Sequence, residues 1–269
     1  MEERVRIDID EQGVADVCLV RADKMNALDA AMFDALNAAI ARLDGEPRLR
    51  AVVLHGAARA FCAGLDVSRF EKISSGTDGG VRELRPRTHG LANAAQHVAW
   101  GWRELPVPVI AAVHGVAVGG GLQLALGADI RLVTADVKMS VLEIKWGLVP
   151  DMAGMALMRR LLRDDVLREL TFTGRMVSGD EAVQLGLATR VCADPLAEAM
   201  ALARQIAGRS PHAVRAGKRL LNFCTDASSH AAVLQAESDE QMAIIGGPNQ
   251  TEAVRANLES RAPRFHDAG

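Results

Sequence analysis

The chain has 269 residues, of which 49% are hydrophobic and 24% are charged, and its formal net charge is −3. These values are typical of a globular domain. A nearly neutral chain offers little of the basic surface that phosphate binding requires, and it contains no apolar run of the about 20 residues that cross a bilayer. We therefore expect neither nucleic acid nor a membrane as a partner. The charged start of the chain differs from a signal peptide, and we expect a cytoplasmic protein.

The four cysteines are widely separated and form no C-x-x-C pair. This spacing predicts neither a zinc site nor a disulfide framework. We therefore expect reduced thiols and no bound metal.

The first 45 residues show the periodicities of a hairpin and a helix. Apolar and polar residues alternate over 5–9 and again over 14–19, which predicts two antiparallel strands. Asp29 is then expected to cap a helix that ends at Gly45.

The middle of the chain alternates between short apolar runs and helical patterns. Helices are predicted over 91–102 and from near Gly121, and the polar residues 74–80 are predicted to form a loop. The apolar runs predict strands of an α/β fold, buried on both faces, and occupy residues 51–54, 109–113, 130–133 and 137–141.

The last third of the chain carries helix-start signals. Ser178 precedes Glu181 by three residues, and Asp194 and Ser210 each precede a proline. Such pairs are typical of helix N-termini. We therefore expect a division into a core of residues 1–195 and a helical module of residues 196–269.

Three segments follow predicted strands, at positions where α/β folds build their binding sites. Residues 60–66 form a turn of mainly small residues, and residues 114–123 contain three successive glycines that open a helix. The glycine segment matches neither a phosphate-binding P-loop nor a dinucleotide-binding fingerprint. Residues 141–151 contain two carboxylates, Glu143 and Asp151.

Together these segments resemble the crotonase family, also called the enoyl-CoA hydratase/isomerase superfamily. Five motifs occur in the family's order, and the resemblance extends over nearly the whole chain. The matching stretches are Asp23-Lys24-Met25-Asn26-Ala27-Leu28, Phe61-Cys62-Ala63-Gly64-Leu65-Asp66, Gly119-Gly120-Gly121 with Ala128-Asp129-Ile130-Arg131, Glu143 with Gly147-Leu148-Val149-Pro150, and Thr173-Gly174-Arg175 through Ala182 to Gly186-Leu187-Ala188.

The resemblance implies an α/β fold of crotonase type. Residues 1–195 would form a spiral of ββα units that carries the acyl-CoA site, and residues 196–269 would form a helical trimerisation module. It further implies a homotrimer or a dimer of trimers, with an acyl-CoA thioester as substrate. No separate cofactor is expected, because coenzyme A is part of the substrate.

The resemblance also assigns roles to individual positions. The main-chain N–H groups of Leu65 and Gly120 would bind the thioester oxygen and stabilise a developing enolate. The residues that match the family's coenzyme A region are Lys24, Ala27, Leu28, Ala63 and Asp66.

One position departs from the hydratase pattern. Hydratases of this family carry glutamates at the positions of Gln123 and Glu143, and together these hold a water molecule. Gln123 cannot act as a base, although its amide could orient a water or the acyl chain. Glu143 alone is sufficient to take an α or γ proton and return it. Movement of the double bond in a 3-enoyl- or dienoyl-CoA is therefore favoured over hydration.

Other functions remain open. Asp151 matches an acid of dienoyl-CoA isomerases and also the nucleophile of an aryl-CoA dehalogenase, but that dehalogenase has an aromatic residue at the position of Glu143. A true hydratase would position its water with Gln123 and Glu143, or with Glu143 and Asp151. A protein that binds acyl-CoA without turnover is an alternative of another class.

Overall fold

The computed structural model describes residues 3–66, 84–227 and 229–268. Its strands are β1 (Val5–Ile9), β2 (Val14–Leu19), β3 (Ala51–Gly56), β4 (Val109–Val113), β5 (Val116–Val118), β6 (Ile130–Val133), β7 (Lys138–Ser140) and β8 (Arg190–Val191). Its helices are α1 (Ala30–Asp44), α2 (Ala94–Glu104), α3 (Gly120–Leu126), α4 (Gly154–Met158), α5 (Asp164–Thr173), α6 (Gly179–Leu185), α7 (Pro195–Ala207), α8 (Pro211–Asp226), α9 (His230–Ile244) and α10 (Pro248–Leu258). The loop predicted at residues 74–80 lies outside the described residues.

Six strands form the main sheet in the order β1-β2-β3-β4-β6-β8. Strands β1 and β2 pair antiparallel as the predicted hairpin, and the neighbours from β2 to β8 pair parallel. The sequence did not predict β5, which pairs with β7 in a separate two-stranded sheet. Its three residues are too few to show a periodicity, and they lie within the glycine-rich segment.

The main sheet is buried on both faces. One face packs against α1 and α2, and Trp102 is among the largest side chains of that core. On the other face, Val53 and Ile110 contact the small residues Ala199 and Ala203 of α7. Helix α7 begins at Pro195, next to the boundary predicted between the core and the helical module. It nevertheless packs against the main sheet of the core. The boundary itself stays a prediction.

Helix α2 begins later than the sequence indicated. Asn93 caps it, and the side chain of Gln96 accepts a hydrogen bond in return from the N–H of Asn93 at 3.1 Å. This capping box starts the helix after residue 93, so Leu91 lies outside it and is 80% exposed. The prediction that this helix begins at residue 91 was therefore wrong.

A buried lysine joins the C-terminal helices to the sheet. Lys218 of α8 is 5% exposed, and its ammonium donates to Asp129 and to the carbonyl oxygen of Val107, both at 2.8 Å, and to that of Trp102 at 3.2 Å. Burial lowers the pKa of Lys218, whereas the charge of Asp129 opposes that change. All three donor groups of the ammonium are satisfied, which is the condition for placing a charge in a core.

We expect Lys218→Met to lower the free energy of unfolding by about 3 kcal/mol, because it leaves the carbonyl oxygens of Val107 and Trp102 without this donor and the partly exposed Asp129 carboxylate without its cation. Urea denaturation measures this change. Lys138→Met, at an exposed position, is the matched control and should change stability by less than about 0.5 kcal/mol. Equal losses in the two variants would show that the buried pair does not hold α8.

Candidate active site

Residues 62–66 lie between two other segments of the predicted motifs. On one side, the N–H of Cys62 donates to Val116 at 2.9 Å, and the N–H of Val118 donates to Cys62 at 3.3 Å. On the other side, the N–H of Ala63 donates to Met25 at 3.0 Å, and that of Leu28 donates to Gly64 at 2.8 Å. Main-chain hydrogen bonds thus join residues 25–28, 62–66 and β5.

Two glycines permit this close approach. Gly64 has φ +82°, and a Cβ there would lie 2.6 Å from the carbonyl oxygen of Val118 and 3.5 Å from the nitrogen of Gly120. A Cβ on Gly121 would lie 2.2 Å from the carbonyl oxygen of Cys62. Any larger residue would push the two loops apart. The main chain of Gly64 and Leu65 is therefore close to the start of α3.

The N–H groups of Leu65 and Gly120 have no hydrogen-bond acceptor in the part of the chain that the structure describes. Gly120 is the first residue of α3, where the N–H has no partner within a helix. The neighbouring N–H of Asp66, by contrast, donates to Leu28 at 3.1 Å. Two free main-chain donors in this arrangement are suited to an oxygen that gains negative charge.

The side chain of Gln123 joins Glu143 to the turn before α4. Gln123 is 2% exposed, and its amide nitrogen donates to Oε1 of Glu143 at 2.6 Å. Its amide oxygen accepts the N–H groups of Met152 and Gly154, both at 2.9 Å. Ala153 lies between these two donor residues and has a left-handed main-chain conformation, with φ +66°.

Glu143 lies beside the glycine segment. Its Oε1 is 3.5 Å from the position that a Cβ on Gly119 would occupy. Its Oε2 is buried and has no hydrogen-bond partner among residues 3–66, 84–227 and 229–268. A buried carboxylate with one unpaired oxygen, on a side chain beside the residue that precedes Gly120, marks a site for a reacting group.

Burial raises the pKa of Glu143, and the nearby charge of Asp151 acts in the same direction. A main-chain hydrogen bond within Glu143 itself and, next in size, the hydrogen bond from Gln123 partly oppose both effects. The pKa of Asp151 is also raised by desolvation, although the residue as a whole stays exposed. The pKa of both predicted carboxylates is therefore shifted in the direction that suits proton transfer.

The expected coenzyme A positions divide into two groups. Lys24 is exposed and Ala63 is half-buried, whereas Ala27 and Leu28 are buried. Ala27, Leu28 and Ala63 lie on the segments that the main-chain hydrogen bonds join, and Lys24 directly precedes the first of these segments. Asp66 is also buried, but it differs from them because its carboxylate forms an ion pair with a half-buried arginine.

That arginine, Arg21, was not identified from the sequence. Its Nη1 lies 2.6 Å from Oδ2 of Asp66 and donates to the carbonyl oxygen of Ala27 at 3.0 Å, while its Nε lies 3.5 Å from Asp29. Arg21 thus holds residues 27–29 against the end of the 62–66 segment. No local pattern could have indicated it, because its partners lie up to 45 positions away.

Cys62 is a packing residue. Its thiol donates to the carbonyl oxygen of Asn26 at 3.1 Å, and burial raises its pKa to about 12. A thiol with such a pKa stays protonated at neutral pH and is a poor nucleophile. Its position in the site motif therefore adds no nucleophilic chemistry.

The chain matches a known protein family over most of its length. The model of the family described as enoyl-CoA hydratase/isomerase matches residues 10–268. The chain belongs to this family. The predicted α/β fold of crotonase type is confirmed, whereas trimerisation through the helical module stays a prediction.

Several relatives match over most of their length. A probable enoyl-CoA hydratase of Bacillus subtilis is 29% identical over 89% of this chain and 90% of its own. The probable enoyl-CoA hydratase EchA12 of Mycobacterium tuberculosis H37Rv is 35% identical over 94% of this chain and 90% of its own. The crystal structure of a putative enoyl-CoA hydratase from Streptomyces coelicolor A3(2) has a TM-score of 0.88 and 31% identity, covering 98% of this chain and 94% of that one.

Within the described ranges, no helix has the length and apolar composition needed to span a bilayer.

Proposed function

We propose that this chain is an enzyme that moves the double bond of an enoyl-CoA thioester through an enolate, with Glu143 transferring the proton. The proposal rests on the hydrogen bonding and the burial of the Glu143 carboxylate. One of its oxygens, Oε1, is held by Gln123 and lies close to the start of α3, and the other, Oε2, is buried and unpartnered. Membership of the enoyl-CoA hydratase/isomerase family supports an acyl-CoA substrate.

In the proposed reaction, the thioester oxygen accepts hydrogen bonds from the N–H groups of Leu65 and Gly120. Glu143 removes a proton from the α carbon of a 3-enoyl thioester, and the electron pair moves into the enolate that these N–H groups stabilise. The carboxylic acid then returns the same proton to the γ carbon, and the product is the 2-enoyl thioester. One group serves as base and acid, so the reaction needs no water.

Further roles follow for the residues around Glu143. Asp151 is proposed as a second acid–base group for dienoyl substrates, because its charge reaches Glu143 and its own pKa is raised by burial. Lys24, Ala27, Leu28 and Ala63 are proposed to contact coenzyme A. Asp66 was expected among them, but its pairing with Arg21 supports an indirect contribution, through the position of the turn.

Hydration is the second candidate, and the names of the relatives favour it, since those compared above are described as hydratases. A hydratase at this site would have to activate water with Glu143 and either Gln123 or Asp151. Gln123 directly contacts Glu143 at 2.6 Å, which leaves no space for water between them. This contact supports isomerisation.

Separate incubations with 2-enoyl-, 3-enoyl- and 3,5-dienoyl-CoA test the proposal. Products are identified by mass and by the absorbance of conjugated double bonds. We expect conversion of 3-enoyl- or dienoyl-CoA without a change in mass. Efficient gain of water by 2-enoyl-CoA, with no conversion of 3-enoyl-CoA, would establish the hydratase instead. No turnover of any substrate would indicate a protein that only binds acyl-CoA.

Glu143→Gln is expected to lower kcat by about 10² to 10⁴-fold, because the proton carrier is lost. Calorimetric titration with hexanoyl-CoA, which cannot isomerise, should show nearly unchanged binding, since the main-chain donors remain. Glu11→Gln, at an exposed position of the turn between β1 and β2, is the control and should retain full activity. A variant at position 143 that keeps wild-type kcat would contradict the assignment of the base.

The role of the Leu65 N–H is tested by two substitutions. Leu65→Ala keeps the N–H and should retain substantial activity, whereas Leu65→Pro removes it and should lower kcat by about 10²-fold or more. Circular dichroism verifies that both variants fold. Equal losses of kcat in the two folded variants would mean that catalysis depends on the Leu65 side chain and not on its N–H group.

We also propose that the C-terminal helices associate in a homotrimer or a dimer of trimers. Leu221, Leu234 and Ile245 on or next to these helices are 71%, 62% and 55% exposed. Such apolar residues are typical of an interface when they are contiguous. Light scattering at micromolar concentration should give the mass of three or six chains, and a monomeric mass would contradict the association. A cytoplasmic location is proposed with it, on the sequence grounds given above.

A further inference from the structure

The hydrogen bonds of Gln123 fix the orientation of its amide. Two main-chain N–H groups, those of Met152 and Gly154, point at one end of the amide from 2.9 Å. Only the oxygen can accept them, so the NH₂ group must be at the other end. That end is 2.6 Å from Oε1 of Glu143. A donor is therefore always presented to this oxygen of the carboxylate.

We propose that Gln123 is a positioning residue that holds Oε1 of Glu143 and thereby presents Oε2 as the oxygen that exchanges the proton with the substrate. This inference rests on the proposed function, because it assumes that Glu143 carries the proton. It gives Gln123 a role in proton transfer that is independent of water. It also explains why the amide is held by two main-chain donors although it cannot act as an acid or a base.

The charged groups around Glu143 determine how much the hydrogen bond from Gln123 affects the ionisation of the carboxylate. Asp151 is the group whose charge acts on Glu143 in the described part of the chain, and it disfavours a second negative charge. Lys145 belongs to the same turn, but its ammonium lies over the ring of Trp146, 5.7 Å from the ring centre. Beside the main-chain hydrogen bond of Glu143 itself, the Gln123 donor is thus the side-chain interaction that favours the ionised carboxylate, against burial and Asp151.

A glutamate at position 123 would change the titration of the site. Its outer oxygen would lie about as close to Oε1 of Glu143 as the amide nitrogen does now, and two carboxylates in such contact share one proton. The singly protonated pair reproduces the present hydrogen bond, with an O–H in place of the N–H. Loss of the second proton at higher pH would leave two charges in contact and disrupt the arrangement.

The first test uses Gln123→Met, which keeps a similar size and removes the donor. We expect kcat to fall by at least about 10-fold with KM changed less than about 3-fold, because binding does not use the Glu143 orientation. The acid limb of the kcat–pH profile should move up by about one pH unit. Gln184→Met, on the exposed side of α6, is the matched control. An unchanged profile and kcat in Gln123→Met would overturn the proposal.

The second test uses Gln123→Glu, which keeps an oxygen that can accept the N–H groups of Met152 and Gly154. This variant is therefore expected to fold even if Gln123→Met does not. Activity should persist in the pH range where the pair holds one proton and fall on a new basic limb above it. Gln184→Glu adds the same charge at an exposed position and should lack this limb. A wild-type profile in Gln123→Glu would overturn the proposal.

A titration that needs no turnover separates the inference from the proposed function. The side-chain carboxyl of Glu143 is followed by NMR in protein labelled with ¹³C-glutamate, and Glu143→Gln identifies its resonance. We expect its midpoint to rise by about one pH unit in Gln123→Met relative to wild type. An equal midpoint would overturn the positioning role. A raised midpoint in a protein that converts no enoyl-CoA would overturn the proposed function alone.

Discussion

The site depends on the close approach of two main-chain segments, residues 62–66 and the start of α3. The contact between them is possible because Gly64 and Gly121 lack side chains, since a Cβ on either would overlap a carbonyl oxygen. Hydrogen bonds to residues 25–28 on one side and to β5 on the other hold the first segment in place. The two free N–H groups are a product of this packing. Their positions are set by main chain and not by flexible side chains, which limits reorganisation during a reaction.

The carboxylate of Glu143 is positioned in a different way. It is a side chain at the start of a short 3-10 turn, and its position relies on the amide of Gln123 and on the turn that contains Ala153. The site thus combines rigid donors with a proton carrier whose orientation depends on a chain of hydrogen bonds. Loss of one link in such a chain changes the charge and the direction of the base without disturbing the main-chain donors.

The sequence was sufficient to predict the longer strands of the parallel sheet, because runs such as 109–113 are apolar at every position. It did not predict β8, whose two residues are too few to show a pattern. It also predicted the glycine segment and Glu143 as parts of one site. The features that it did not reveal are contacts between distant residues without a local pattern. Arg21 pairs with Asp66, and the N–H groups of Met152 and Gly154 reach Gln123 from about 30 positions away. These contacts depend on how the loops cross, which periodicity does not record.

The amide at position 123 has a consequence for how this family can diverge. The codons of glutamine and glutamate differ by a single base, and the surrounding main chain accepts either residue, because the two N–H donors need only an oxygen. The two-glutamate arrangement that characterises the family's hydratases is therefore one point mutation away from the site in this chain. Selection could move between the two chemistries at this position while the scaffold stays the same.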